Sequence, residues 1–70
     1  MFIVVTERGT ARQIAVNVAR IVAVARQRGD GGASYARLSF DGQYSDDIVT
    51  VESWEDVVAM IGTVRAIAAP

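Results

Sequence analysis

The stretch IAVNVARIVAVARQ, from Ile14 to Gln27, decides the fold because its letters fit two different structures. With a period of 3.6, one helical face collects Ile14, Val18, Ile21, Val22 and Ala25, opposite Gln13, Asn17, Arg20 and Gln27. With a period of two, apolar residues alternate first at Ile14, Val16 and Val18 and then at Val22 and Val24. Valine and isoleucine lose side-chain freedom in helices and suit pleated strands. Periodicity alone leaves one helix and two strands as open alternatives.

The flanking segments predict strands and turns. Residues 2–6 indicate a buried strand, and a turn follows at residues 7–10. The polar, glycine-rich segment from Gln27 to Gly32 indicates a loop, and the alternation from Ala33 to Phe40 indicates a strand. Asp41-Gly42 is a strong hairpin signal, so residues 43–51 are predicted to return as its partner strand. Asp46-Asp47 interrupts that partner strand and predicts a bulge or a solvated edge.

The last segment predicts a helix with a defined start. Ser53 is placed as the N-cap, Asp56 follows three residues later as in a capping box, and Glu55 suits the positive end of the helix dipole. The predicted apolar stripe consists of Trp54, Val57, Val58, Ile61, Val64 and Ala68.

This order of elements resembles the small flagellar proteins of the FlbD/SwrD type and their phage and mobile-element relatives. The matching pieces are Val16-Asn17, Ile21, Asp41-Gly42 and the run VESWEDV from residue 51 to residue 57. The likeness spans about residues 2–61. It implies that residues 12–17 and 21–27 are strands joined by a short turn at residues 18–20. It also implies a regulatory or interaction role without an enzymatic site.

Composition bounds the class of protein. Seventy residues make one domain, 1–70. Of these residues 51% are hydrophobic, which is more than so small a domain can readily bury. We therefore expect a homo-oligomer in which a second subunit covers apolar surface. No signal peptide and no apolar run of about 20 residues is visible, so we expect a cytoplasmic protein of bacterial type that makes no membrane contact.

The chain has no histidine and no cysteine, and its seven basic residues are all arginine. Disulfides and thiolate metal sites are therefore excluded, and no serine or threonine has an obvious activating base. We expect no enzymatic activity, no cofactor and no metal. The GDGG run at residues 29–32 lacks the lysine of a phosphate-binding loop and does not open a helix, so it is interpreted as a hairpin loop.

The candidate interaction surface is a set of basic and aromatic side chains: Arg12, Arg20, Arg26, Arg37, Tyr35, Tyr44 and Trp54. Such residues stack on and grip nucleic acid when they share a sheet face. The net charge of −1 favours the other interpretation, a polar outer face. Trp54 either covers the core or, if exposed, anchors a partner.

Together these observations predict an α+β domain with a small twisted antiparallel sheet of four to five strands and one C-terminal helix packed on a face. The expected function is that of a non-enzymatic protein-interaction, adaptor or regulatory module, encoded on a mobile element, which associates with itself and with an unknown protein. The alternative is a nucleic-acid-binding regulator that uses an arginine- and tyrosine-rich sheet face.

Overall fold

The structure is a computed structural model that describes residues 1–42 and 46–68. In chain order the strands are β1 (Phe2–Thr6), β2 (Gln13–Asn17), β3 (Ile21–Arg28), β4 (Ser34–Phe40) and β5 (Ile48–Val49). The helix α1 spans Trp54–Ala68, and short 3-10 turns lie at Val18–Arg20 and Asp30–Gly32. The domain is therefore α+β with a C-terminal helix, as predicted.

The opening stretch forms two strands, and a helix there is excluded. The turn between β2 and β3 is fixed by Asn17, whose side-chain oxygen accepts the backbone N–H of Ala19 at 3.1 Å. Val18 is buried within this turn and donates its N–H to the carbonyl of Met1 at 3.0 Å. The predicted strand and turn boundaries agree with the structure to within one residue.

The strands form two sheets, so the prediction of a single sheet of four to five strands is not met. β1 pairs with β2 in one antiparallel sheet, and the other has the order β3-β4-β5. The sheets meet where Val51 N–H donates to Thr6 O and Arg8 N–H donates to Val49 O, both at 2.8 Å, around a bridge between Glu7 and Thr50. After the seam the chain leaves the sheet to begin α1. On the edge opposite β2, β1 is therefore paired only near its C-terminal end.

The predicted return strand over residues 43–51 is shorter in the structure. Ile48 and Val49 pair with Leu38 and Arg37, whereas residues 43–45 lie outside the described residues. Asp46 and Asp47 are both exposed, which confirms the predicted solvated edge.

The core lies between the sheets and the helix. Val5, Leu38 and Val57 are fully buried, and six further apolar residues complete the buried cluster: Ile3, Val16, Val18, Ile21, Ala36 and Ile61. The helix begins as predicted, because the Asp56 N–H donates to Ser53 Oγ at 3.1 Å. Of the predicted apolar stripe, Val58 is exposed, since its position on the helix points away from the core.

Thr50 is fully buried, and its hydroxyl contacts the backbone of two other residues. Its Oγ1 donates to the carbonyl of Glu52 at 2.8 Å and accepts the backbone N–H of Ala36 at 3.3 Å. Within the described residues, it is the one buried polar side chain. Its hydrogen bonds tie β4 to the segment that leads into α1.

Candidate functional site

The four arginines of the predicted surface lie in four separate places. Each of them contacts a carboxylate: Arg12 contacts Glu7 at 3.5 Å, Arg20 contacts Asp41 at 3.0 Å, Arg37 contacts Asp47 at 2.9 Å, and Arg26 contacts Glu55. These ion pairs lie at the surface, where each stabilises the fold only slightly. The structure therefore does not gather the four residues into one basic patch.

The register of β3 and β4 separates the remaining members of the set. Arg26 lies opposite the buried Ala36, so it projects toward the side of the sheet that carries the helix. Tyr35 and Arg37 flank Ala36 in β4 and therefore project from the opposite face. Tyr44 lies outside the described residues.

Trp54 closes the edge of β3. Its indole N–H donates to the carbonyl of Val24 at 3.2 Å, and the guanidinium of Arg26 lies 5.2 Å from its ring. The side chain is half-buried against the core. This arrangement agrees with the interpretation of Trp54 as a cover for the core, and it satisfies a backbone carbonyl that an edge strand would otherwise present to solvent.

Arg8 was absent from the predicted set, yet it makes the closest cation–π contact among the described residues. Its guanidinium lies 3.6 Å from the centre of the Tyr35 ring. The ring also packs so close to Gly29 that a Cβ at that position would overlap it. Arg8 and Tyr35 are distant in the sequence, and no spacing rule brings them together.

An open cleft of about 420 Å³ lies where β3 turns into β4, lined by Arg26, Arg28, Gly29, Gly32 and Ser34. Beside it, Glu55 accepts the Ser34 hydroxyl at 2.8 Å and the guanidinium of Arg26. The backbone N–H of Glu55, the Ser34 hydroxyl and Arg26 together lower the pKa of the Glu55 carboxyl, although desolvation opposes them. The Glu55 carboxylate therefore already pairs with the Arg26 guanidinium beside the cleft.

A second surface feature is apolar and lies on the outward side of β1 and β2. We define the outer apolar patch as Phe2, Val4, Ala15 and Val51. Phe2 is 63% exposed, Val4 54% and Val51 52%, and Ala15 is also exposed. Ala15 lies directly across from Val4, and Val51 lies beside Thr6 at the seam.

The outer apolar patch corrects the sequence interpretation of residues 2–6. That run was predicted to be buried, but β1 buries only Ile3 and Val5 and presents Phe2 and Val4 to solvent. A run of apolar residues is typical of a strand covered on both faces. Among the described residues, nothing covers the outward face of β1. The run of apolar residues alone could not predict that exposure.

The described residues contain no group of three or more acidic side chains arranged to hold a metal ion. In the same part of the chain, no helix has the length and apolar character needed to cross a membrane. Comparison of the chain with protein-family models, with curated proteins and with solved structures finds no match.

Proposed function

We propose that this protein is a non-enzymatic protein-interaction module that acts as an adaptor or regulator and docks its partner on the outer apolar patch. The observation that carries the proposal is the exposure, each by more than half, of Phe2 and Val4 on β1 and of Val51, which is hydrogen-bonded to the end of that strand. Isolated exposed apolar side chains are ordinary, but a contiguous set on a rigid sheet face marks a contact surface.

The magnitude of the effect is sufficient for recognition. Complete burial of a valine or phenylalanine side chain contributes about 1.5–3 kcal/mol. Each of the three residues is more than half exposed. Burying the exposed part of all three on docking would therefore contribute roughly 3 kcal/mol. That corresponds to a factor of about 100 in a binding constant, before the costs of association.

The polar chemistry of the described residues supports the same class of function. The arginines at positions 12, 20, 26 and 37 face carboxylates of the same chain. Arginines neutralised in this way offer little charge to an anionic ligand. The sequence resemblance to the FlbD/SwrD type implies an interaction role of the same kind.

Nucleic-acid binding remains the second candidate, and one observation favours it. Tyr35 and Arg37 share the outer face of β4, and Arg8 stacks on Tyr35, which gives a small aromatic and basic face. The pairing of Arg37 with Asp47 weakens this face, because a neutralised arginine releases no counterion from a phosphate backbone.

A capture experiment tests the first candidate. The immobilised protein, a Phe2→Thr/Val4→Thr variant and a Val22→Thr variant are incubated with extract from the native host, and bound proteins are quantified by mass spectrometry. Val22 is the matched control because it is 65% exposed but lies in β3. We expect the partner to be retained by the wild type and the control and reduced at least tenfold by the double variant. An identical set of bound proteins on all three would refute docking at the patch.

A titration with random single-stranded DNA and RNA tests the second candidate. We expect weak binding or none at 150 mM salt. Binding that falls steeply with salt and is lost in an Arg8→Ala/Arg37→Ala variant would favour nucleic acid as the ligand.

A further inference from the structure

We propose that the occupant of the outer apolar patch is a second copy of this chain, which packs its own β1–β2 face against the first around a two-fold axis. This inference rests on the proposed function, because it names the partner that the same surface takes. It is carried by the lack of charge and by the shape of the patch, and the area of the patch sets the strength of the contact.

The patch and its surroundings are suited to contact with themselves. In a two-fold interface each surface meets an identical surface, so any net charge on it would face the same charge. The outward neighbours of the patch are Thr6, Gln13 and Asn17, all of them neutral. At the turn between the strands, Glu7 and Arg12 form an ion pair with each other. These five residues therefore present no uncompensated like charge to a second copy.

The area of the patch sets the strength of the contact. Exposed fractions of 63%, 54% and 52% at Phe2, Val4 and Val51, together with Ala15, amount to roughly 350 Å² of apolar surface per copy. Two copies would bury on the order of 700 Å² of it, below the ~1,200 Å² typical of stable specific complexes. The dimer is therefore weak, with a dissociation constant on the order of 500 μM.

The relief of the face also fits a sheet-on-sheet contact. Packed sheets lie about 10 Å apart and need large side chains to meet small ones. Ala15 lies directly across from Val4 and diagonally across from Phe2 in the pairing of β1 with β2. The small side chain leaves a depression beside two larger ones, and the depression receives an aromatic ring of the other copy.

Sedimentation velocity between 10 μM and 1 mM tests the proposal on the full chain. The samples are the wild type, Phe2→Thr/Val4→Thr, Val4→Thr alone and the Val22→Thr control. We expect the weight-average sedimentation coefficient of the wild type and of the control to rise together with concentration. The double variant should increase the dissociation constant at least tenfold, and the near-isosteric Val4→Thr at least threefold.

Circular dichroism of each variant shows whether the fold is kept, and Val4→Thr keeps the test decisive if the double variant unfolds. A wild type that stays monomeric at 1 mM overturns the proposal, and so does a dimer that Val4→Thr leaves unchanged. The two proposals fail separately. A monomeric wild type whose host partner is still lost in the double variant would refute the dimer and retain the interaction function.

Discussion

The buried hydroxyl of Thr50 gives the sharpest test of how this small core is stabilised. Thr50→Val keeps the shape of the side chain and replaces its hydroxyl by a methyl group. An argument from hydrophobicity alone expects stabilisation, because a fully buried site gains an apolar group. The hydrogen bonds at this position give the opposite expectation. The backbone N–H of Ala36 loses its acceptor, and the carbonyl of Glu52 loses its donor.

The magnitude follows from these two groups. Each unsatisfied buried polar group costs about 1–3 kcal/mol, and the added methyl contributes about 0.8 kcal/mol. The carbonyl of Glu52 is only partly buried and regains some of its loss from water. We therefore expect the free energy of unfolding of Thr50→Val to fall by about 2 kcal/mol. Thr50→Ser keeps the hydroxyl and loses one methyl, which costs about 1 kcal/mol.

Thermal unfolding followed by far-UV circular dichroism measures both variants, with urea unfolding as a second estimate. In a domain of this size 1 kcal/mol shifts Tm by about 4–8 °C. Thr50→Val should therefore melt about 8–16 °C below the wild type, and Thr50→Ser about 4–8 °C below. A Thr50→Val protein at least as stable as the wild type, or more stable than Thr50→Ser, would refute the reasoning.

Two further expectations concern the helix and the segment before it. Trp54→Phe removes the indole N–H that bonds the carbonyl of Val24, so the free energy of unfolding, measured in urea, should fall by about 1–2 kcal/mol; an unchanged value would show that water replaces the bond without cost. Burial raises the pKa of the Glu52 carboxyl, but its hydrogen bonds, notably from the Thr6 backbone N–H, lower it more, so the net shift is downward. A depressed carboxyl pKa stabilises the fold above about pH 4.3, and this stabilisation is lost as the pH falls through the lowered value. The urea midpoint of Glu52→Gln should therefore drop less between pH 7 and pH 3 than that of the wild type, and equal drops would contradict the assignment.

The secondary structure was predicted well because local rules determine it. Alternating valines were compatible with β2 and β3, but they did not separate two strands from one helix, and the choice of strands followed from the resemblance. Ser53 supplied the cap of the helix. Each signal depends on residues within a few positions of one another. Their physical causes act in the same way in any fold.

The number of sheets was not accessible to the same rules. The seam between the sheets depends on residues far apart in the chain, such as Thr6 and Glu52. Alternation assigns side chains to two faces of a strand, but it does not state how many neighbours the strand finds. The same limit explains why the run at the start of β1 was interpreted as buried.

The candidate surface was predicted less well than the fold. Residue type nominated the arginines, but their usefulness to a ligand depends on the carboxylates that tertiary structure brings to them. Asp41, Asp47 and Glu55 reach Arg20, Arg37 and Arg26 from other elements. Conversely, Phe2 and Val4 were predicted to be buried because they are apolar, but in the fold no other element covers the face of β1 on which they lie.

The seam also governs how the chain can assemble. The hydrogen bond from the Thr6 N–H to Glu52 spans 46 positions, and closing a flexible loop of that length costs about 3 kcal/mol of chain entropy. An isolated hairpin such as β1–β2 is marginal in water. The β1–β2 sheet therefore has little stability of its own, and we expect it to form together with the seam and the rest of the fold.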